Sequence, residues 1–407
     1  MGTLVKFELK KILGNRAGMA ACALVLAMLV LVAGLNLATM KSIDLETGTH
    51  VFGPEARVAR RVLAESHAGT LVDERIAQDA ATFDRAEELE QETQGSSNLS
   101  DREIIERHGL QFWQETRAIT SQGYYAEIVD TLDSANPRAT GLREGFEARL
   151  ENALDNGFWG SSHYSDAEKE WWHNLANGIS WPIEYGYDGG WHYVLSWRGS
   201  LGLAIVALCV TLSGVFASEY QSRAAAVILP TKRGKRELPI AKALAAIIFT
   251  TVYWCVLVVV IATIHIGIYG VDGWNLPLQV SLGLDNPYPL TVGQAILASY
   301  ALGYLVALGM AALTLLLSAK MHSTTPVAAA IMAVVFLGIV ALFSTPLVKI
   351  ALLTPFSGLS YAFDAMVSYV AGPFVADLPT MLAVLYGTML VVFGSLAMRV
   401  FKSHQVT

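Results

Sequence analysis

The side chains of this sequence that could do chemistry form no recognisable catalytic set. His163, His173 and His192 fall in one aromatic region, but their spacing is not that of metal ligands, so a zinc site there is only a weak alternative. Gly234 and Lys235 lack the upstream glycine and the following Ser/Thr of a phosphate-binding Walker pattern. We therefore predict no active site and no bound cofactor within this chain.

A second group of ionisable residues lies in the polar segment Phe216–Lys242, between two apolar stretches. Glu219 ends the first apolar stretch, and a short amphipathic stretch follows it. A basic cluster then leads into the next apolar stretch; it consists of Lys232, Arg233, Lys235 and Arg236. This segment is the most informative part of the sequence for function.

Composition divides the chain into an acidic region and a set of long apolar segments. The 407 residues are 53% hydrophobic and 15% charged, whereas soluble domains carry about 25% charged residues. Residues 40–198 hold 28 Asp/Glu and 14 Lys/Arg, a net charge of −14. Several segments outside that block run for about 20 residues without charge, the length that crosses a bilayer core. An acidic soluble domain and a membrane domain are predicted, and the acidic balance argues against a nucleic-acid partner.

Six apolar stretches predict six transmembrane helices: Met19–Thr39, Ser200–Ala217, Ala243–Ile268, Val292–Ser318, Pro326–Thr345 and Thr380–Met398. Their interiors contain no Asp, Glu, Lys or Arg, which weakens the case for a proton or ion pathway. The first stretch also has features of a signal peptide. We expect a retained anchor, because its apolar part is too long for a typical signal.

Basic residues are concentrated in alternate short loops. The N-terminal segment, the loop after the second stretch, the loop after the fourth and the tail together hold 13 basic and 3 acidic residues. Because cytoplasmic loops are enriched in Lys and Arg, both termini are predicted to be cytoplasmic and residues 40–198 extracytoplasmic, in a multi-pass protein of the plasma (inner) membrane. The basic amphipathic stretch Thr3–Leu13 predicts a helix lying on the membrane surface; a disordered basic tail is the alternative.

The outer block is predicted to be mainly helical. Apolar residues recur every three or four positions in Glu55–Thr93, Ser100–Glu103 has the form of a capping box, and Arg138–Asn156 gives a further helix. Six tryptophans crowd the region Phe158–Trp197, and we expect them at the membrane interface, with a small aromatic core as the alternative. The predicted fold class is an all-α membrane protein with six transmembrane helices and a mainly helical extracytoplasmic domain.

The predicted boundaries follow from these assignments. They are a cytoplasmic amphipathic helix at 1–18, the first span at 19–39, the outer domain at 40–198, five further spans within 199–398 and a cytoplasmic tail at 399–407. Two segments within 199–398 are not spans: a cytoplasmic loop at 218–242 and an external re-entrant segment at 346–379.

The polar segment resembles the type 2 ABC transporter permeases. In that family the second span commonly runs into Phe-x-x-Glu-Tyr, as at Phe216–Tyr220, and a basic turn follows, here Thr231–Lys235. A lysine opens the next span, as Lys242 does, and Thr354-Pro-Phe356 is similar to the start of the family's external re-entrant segment. The resemblance covers the six-span skeleton and not residues 40–198.

This resemblance implies a function and partners. It implies the membrane subunit of an ATP-driven exporter, which would move an amphipathic, peptide, drug-like or lipid-like substrate by alternating access. The implied partners are a cytoplasmic ABC ATPase dimer that binds ATP and Mg²⁺, a second permease chain of the same or a different kind, and membrane lipids.

Four groups of residues are then candidates for function. The ATPase-coupling group is Glu219, Tyr220, Arg223, Lys232, Arg233, Lys235 and Arg236, and the elbow-helix group is Lys6, Phe7, Lys10 and Lys11. Polar residues that could line a pathway are Thr211, Ser213, Tyr300 and Tyr304, although helix–helix hydrogen bonds explain them equally well. The external re-entrant group is Pro355 and Phe356.

The size of the outer domain motivates an alternative function. An ATPase partner could move that domain to regulate a periplasmic or surface partner, which would make the chain a mechanical or sensory membrane protein. A membrane enzyme is a third interpretation, but no constellation of residues supports it.

Overall fold

The computed structural model describes residues 1–94, 101–120, 141–157, 164–224, 227, 231, 234, 236–343 and 347–403. This part of the chain is mostly helical, as predicted, and its strands form three two-stranded antiparallel pairs that the sequence did not predict. It divides into two compact units. Unit 1 comprises Met1–Val30, Ser196–Thr263 and Leu297–Thr407, and unit 2 comprises Leu31–Leu195 and Ile264–Ile296.

The helices of the first half are α1 (Gly2–Leu13), α2 (Arg16–Thr39), α3 (Gly53–Ser66), α4 (Asp73–Gln94), α5 (Asp101–His108), α6 (Leu110–Thr120), α7 (Leu142–Asn156), α8 (Asp166–Ala176) and α9 (Gly189–Ser196). The helices of the second half are α10 (Leu201–Leu212), α11 (Gly214–Gln221), α12 (Leu238–Tyr269), α13 (Leu278–Leu282), α14 (Val292–Lys320), α15 (Thr324–Ala341), α16 (Val348–Ala351), α17 (Pro355–Tyr361) and α18 (Leu378–Ser403). The strands are β1 (Lys41–Asp44), β2 (Thr49–Phe52), β3 (Gly69–Thr70), β4 (Glu184–Tyr185), β5 (Ser368–Ala371) and β6 (Phe374–Asp377).

Five helical segments of the described chain are long and apolar enough to cross a membrane, which indicates a multi-pass membrane protein. They are Arg16–Thr39, Gly189–Gln221, Leu238–Tyr269, Val292–Lys320 and Leu378–Lys402. Each contains one of the predicted spans. Helices apolar on every side, such as α2, are typical of membrane spans rather than of soluble surfaces.

The predicted span Pro326–Thr345 corresponds to α15, which is shorter than the five helices above. It packs against α10 and α17 within unit 1. At the α10–α17 contact, a Cβ added to Gly202 would lie 2.6 Å from the Cα of Phe356. The missing side chain therefore allows these two helices to approach closely, as small residues do in membrane bundles.

The predicted re-entrant segment 346–379 does not cross a membrane as one helix. Its described residues form the short helices α16 and α17 and the hairpin β5–β6, and the hairpin is an element that we did not predict. Lys349 donates to the Ser368 carbonyl at 3.1 Å, and the Tyr369 hydroxyl donates to the Lys349 carbonyl at 2.6 Å. These bonds tie the hairpin to α16.

Unit 2 contains the hairpin β1–β2, the pair β3–β4 and helices α3 to α8. On α7 the residues Leu142, Phe146, Leu150 and Leu154 recur at four-residue spacing and are all buried. That spacing places them on one face of the helix. The capping box in this unit is at Ser165 and Glu168, on α8. The predicted box at Ser100 lies outside the described residues.

The predicted helix Glu55–Thr93 is two helices. Between α3 and α4, residues Gly69 and Thr70 pair with Tyr185 and Glu184, and the Leu71 amide donates to the Ile183 carbonyl at 2.8 Å. Gly69 has a φ of +119°, which glycine adopts at little cost. A distant partner strand thus interrupts a pattern that is helical on both sides of it.

Several aromatic residues of the region Phe158–Trp197 are interior. Trp172 is fully buried and contacts Trp171 and Tyr288 edge to face at centroid distances of 4.8 and 5.9 Å. Tyr164 and Tyr185 are also buried. These three residues are interior, as expected for the alternative of a small aromatic core; a position of the remaining aromatic residues at the membrane interface stays a prediction.

Candidate functional site

Four charged side chains of unit 1 form a cluster that joins three helices. The charge cluster consists of Glu8 and Lys11 on α1, Glu219 on α11 and Lys242 on α12. Lys242 Nζ lies 2.7 Å from Glu8 Oε2 and 2.9 Å from Glu219 Oε1. Lys11 Nζ lies 3.1 Å from Glu8 Oε1 and 2.7 Å from the same Glu219 oxygen. The two acids and two bases compensate one another.

Lys242 is the centre of the charge cluster. It is 1% exposed, and its third hydrogen bond goes to the Val215 carbonyl at 2.7 Å. An ammonium group has three donors, and here all three have partners. Glu8 and Glu219 are only 3% and 4% exposed. Burial of ionised groups is tolerated when they are paired and hydrogen-bonded in this way.

The helix that carries Glu219 is interrupted just before the cluster, between α10 and α11. Ser318 of α14 bridges the interruption: its hydroxyl donates to the Ser213 carbonyl at 2.7 Å and accepts from the Phe216 and Ala217 amides, each at 3.0 Å. One buried hydroxyl therefore satisfies three backbone groups that the break releases. The break and its bridge fix where α11 begins and hence where Glu219 points.

Replacing Ser318 by alanine is expected to destabilise the protein by about 2 kcal/mol, because buried backbone donors lose their acceptor. The measurement is the thermal unfolding of the purified chain in detergent. Ser222→Ala serves as control, since that hydroxyl is exposed and bonds within its own turn. Equal melting of the two variants would contradict the bridging role.

Helix α1 faces the cluster with one side only. Glu8 and Ile12, one turn apart, are its buried residues. The predicted elbow residues Lys6, Phe7 and Lys10 are exposed.

Burial alone would lower the pKa of Lys11, but its hydrogen bond to Glu219 and the charges of Glu219 and Glu8 outweigh this effect and raise the pKa. Lys11 is thus held in its charged form.

The predicted coupling residues are only partly described. Glu219 belongs to the charge cluster, and the Tyr220 hydroxyl donates to the Ala319 carbonyl at 3.1 Å. Arg223 is exposed and has a φ of +56°, and Arg236 is also exposed. Lys232, Arg233 and Lys235 lie outside the described residues.

The residues predicted to line a pathway lie in two places. Thr211 and Ser213 line a cavity of about 480 Å³ in unit 1, together with Glu8, Asn15 and Thr324. Both hydroxyls also bond to carbonyls of their own helix, at 2.9 and 2.7 Å. Tyr300 is buried, and the Tyr304 hydroxyl lies 2.6 Å from that of Thr251 on α12. Helix–helix and intrahelical bonds therefore account for much of this polarity.

The re-entrant pair Pro355 and Phe356 begins α17. Pro355 occupies the first turn, where its missing N–H costs nothing. Phe356 packs on Gly202 of α10. Nearby, buried Arg198 donates to Asp364 at 2.7 Å. This region is a packed part of unit 1.

Sequence reasoning missed Glu8. Glu8 stands among lysines in a short amphipathic stretch, so the sequence predicts a solvent-exposed side chain. One signal was present: Glu8 lies four residues before Ile12, which places both on the same side of a helix. Lys242 entered the resemblance as a family feature, but its partner on α1 is 234 residues away and could not be found by spacing.

The described histidines do not gather into a metal site. Among the residues that the structure describes, no group of three His, Cys, Asp or Glu could hold a metal ion. His173 lies 3.2 Å from Glu151, and His192 lies 3.2 Å from the Ser281 hydroxyl. His163 lies outside the described residues.

Fold and site together define a multi-pass helical membrane protein with a compensated charge cluster where its N-terminal helix meets two membrane-length helices. Comparison of the chain with protein-family models, with curated proteins and with solved structures finds no match.

Proposed function

We propose that this chain is the membrane-spanning subunit of an ATP-driven ABC exporter, with the segment 218–242 as the surface on which a separate ATPase acts. The observation that carries the proposal is the charge cluster. Glu219 and Lys242 lie at the two ends of that segment, and their side chains are joined at 2.9 Å. Glu8 connects both to α1.

Such a cluster suits the transmission of force. Separating buried, paired charges is costly, since each would be left uncompensated. A displacement of either end of the segment is therefore carried to the other end and to α1. Transport by alternating access needs an element of this kind, whose position biases the membrane helices between two states.

In this proposal the chain does no chemistry on ATP. The ATPase dimer binds ATP and Mg²⁺, and its closure moves the segment 218–242. A second permease chain completes the complex, and the substrate passes between the two chains. Phe7 and Leu13 of α1, which are 56% and 51% exposed, contact membrane lipid in this proposal.

Reversing the charges of Lys232, Arg233, Lys235 and Arg236 to glutamate is the direct test. We expect an ABC ATPase to be encoded in a neighbouring reading frame and to co-purify with the native chain. Coupling energies between sites are typically 1–3 kcal/mol, so the variant should lower ATP-dependent flux in vesicles by about tenfold while membrane insertion is unchanged.

The matched control reverses Arg143 and Arg149, exposed or partly exposed basic residues of unit 2. This control should leave flux and co-purification intact. A cysteine at position 234 should be shielded from membrane-impermeant reagent in whole cells. Labelling of that cysteine from outside, or unchanged flux in the loop variant, would refute the proposal.

A further inference from the structure

Unit 2 contains a cavity whose lining combines charges of both signs with aromatic rings. Its volume is about 240 Å³, below the range of roughly 300–1,000 Å³ found for sites of drug-sized ligands. The cavity volume therefore suits a ligand smaller than a drug-sized molecule. The charged lining residues are Arg57, Arg60 and Asp188.

The two arginines form the positive side of the cavity. Arg57 and Arg60 are three residues apart on α3, a spacing that places them on one face of the helix. Arg57 donates to the Ile268 carbonyl, and Arg60 donates to the Lys41 carbonyl at 3.0 and 3.3 Å. The ion pairs of the described residues on this helix are made by the neighbouring Arg61, with Glu65 and Asp272. A guanidinium has five N–H donors, so Arg57 and Arg60 each retain donors for an anion.

Asp188 forms the negative side. Its Oδ2 is buried and has no hydrogen-bond partner among the described residues; the imidazole Nδ1 of His192 lies 3.9 Å from it. Burial raises the pKa of the Asp188 carboxyl, and the nearby His192 and the Ser281 hydroxyl only partly offset this. An unfilled buried acceptor of this kind is satisfied by a donor from a ligand, best by a cation.

Aromatic and apolar side chains form the rest of the wall. The rings of Tyr193 and Tyr269 stack at a centroid distance of 4.2 Å, and Tyr187 also lines the cavity. Leu63 and Met40 supply apolar surface that would contact a short hydrocarbon linker.

We propose that this cavity binds a small zwitterion of the phosphoethanolamine type, in which a phosphate carries a protonated amine on a two-carbon linker. The phosphate lies against Arg57 and Arg60, because phosphate oxygens can be shared between two guanidinium forks. The amine lies against Asp188. The ligand could be a phospholipid headgroup or a free soluble molecule. This inference does not depend on the proposed transport function.

The test uses the full chain purified in detergent, with radiolabelled O-phosphoethanolamine in equilibrium dialysis. Ethanolamine alone and inorganic phosphate alone should each compete at least about tenfold more weakly than the intact zwitterion, since each makes one of two charge-assisted contacts. A carboxylate zwitterion, glycine, should also compete weakly. Equal competition by phosphate, or preferential binding of glycine, would overturn the assignment.

Two variants that each remove one charge locate the site. Arg60→Gln and Asp188→Asn should each weaken binding about tenfold. Arg60 is exposed at the mouth of the cavity, so its variant is expected to fold. The control Arg143→Gln removes an exposed arginine of the same unit that pairs with Glu147, and it should bind as the native chain does. Binding that is unchanged in both cavity variants would overturn the proposal.

A lipid arm distinguishes the two sources. The chain is reconstituted in vesicles of phosphatidylethanolamine or of phosphatidylglycerol, which has no amine. If binding of the soluble ligand is lost in the phosphatidylethanolamine vesicles but kept in the phosphatidylglycerol vesicles, the site exists and its ligand is the lipid headgroup. Retained binding in both vesicles supports the site and assigns it to the free molecule. Absence of binding in detergent and in both vesicles refutes the site.

Discussion

Replacing Lys242 by methionine is expected to destabilise the protein by about 3–5 kcal/mol, the usual cost of removing one partner from a buried ion pair. Methionine keeps most of the volume of the side chain but leaves Glu8 and Glu219, both almost fully buried, with Lys11 as their remaining cation in the cluster. The Val215 carbonyl also loses its donor. Thermal unfolding of the purified chain measures the effect.

The double variant Lys242→Met with Glu219→Gln should recover part of the loss. Glu8 and Lys11 then remain as a neutral pair at 3.1 Å, and contacting residues show coupling energies of about 0.5–3 kcal/mol. Lys10→Met, an exposed position on α1, should change stability by less than about 0.5 kcal/mol. Melting of the Lys242 variant at the native temperature would contradict the central role of this lysine.

Replacing Gly190 by alanine is expected to destabilise the protein by about 3 kcal/mol, the upper end of the cost of overpacking. The added Cβ would lie 2.0 Å from the carbonyl oxygen of Gly270 and 3.5 Å from the Cα of Ile266. Both are backbone atoms, so no side-chain rotation can relieve the clash. The beginning of α9 would have to move away from the end of α12.

Gly267→Ala is the matched control, in the last turns of α12. A Cβ at this position meets nothing within 4 Å, and alanine is favoured over glycine inside a helix by about 1 kcal/mol. This variant should melt at or above the native temperature. A destabilised Gly267 variant, or a Gly190 variant as stable as the native chain, would show that the close approach is not what selects glycine.

The five membrane-length helices could be predicted from the sequence because apolar length is a local property. Each of them contains a predicted span, and the ends shifted by a few residues in most cases; the second is longer, because α9 and the 3-10 turn at Trp197–Ser200 continue into α10. The prediction of a single helix over Glu55–Thr93 was wrong, because its interruption depends on a contact with a distant residue. Pairing of Gly69 with Tyr185 joins residues more than 100 positions apart, and periodicity carries no information about such a partner.

The candidate site could also be predicted only in part from the sequence. The amphipathic stretch around Lys11 and the polar segment that contains Glu219 stand out by composition. Composition does not show that these two segments are in contact, because Glu8 and Lys242 meet only when α1, α11 and α12 are packed together. The cavity of unit 2 is likewise built from separated segments that bring Arg57, Asp188 and Tyr269 around one space.

The sequence by itself determined where the chain can enter a membrane and which parts are polar, since both follow from the transfer of apolar side chains over some 20 consecutive residues. Tertiary structure decided which charges are buried and compensated, and which backbone segments touch. Those outcomes depend on contacts between distant residues, and their free energy appears only when the helices are assembled.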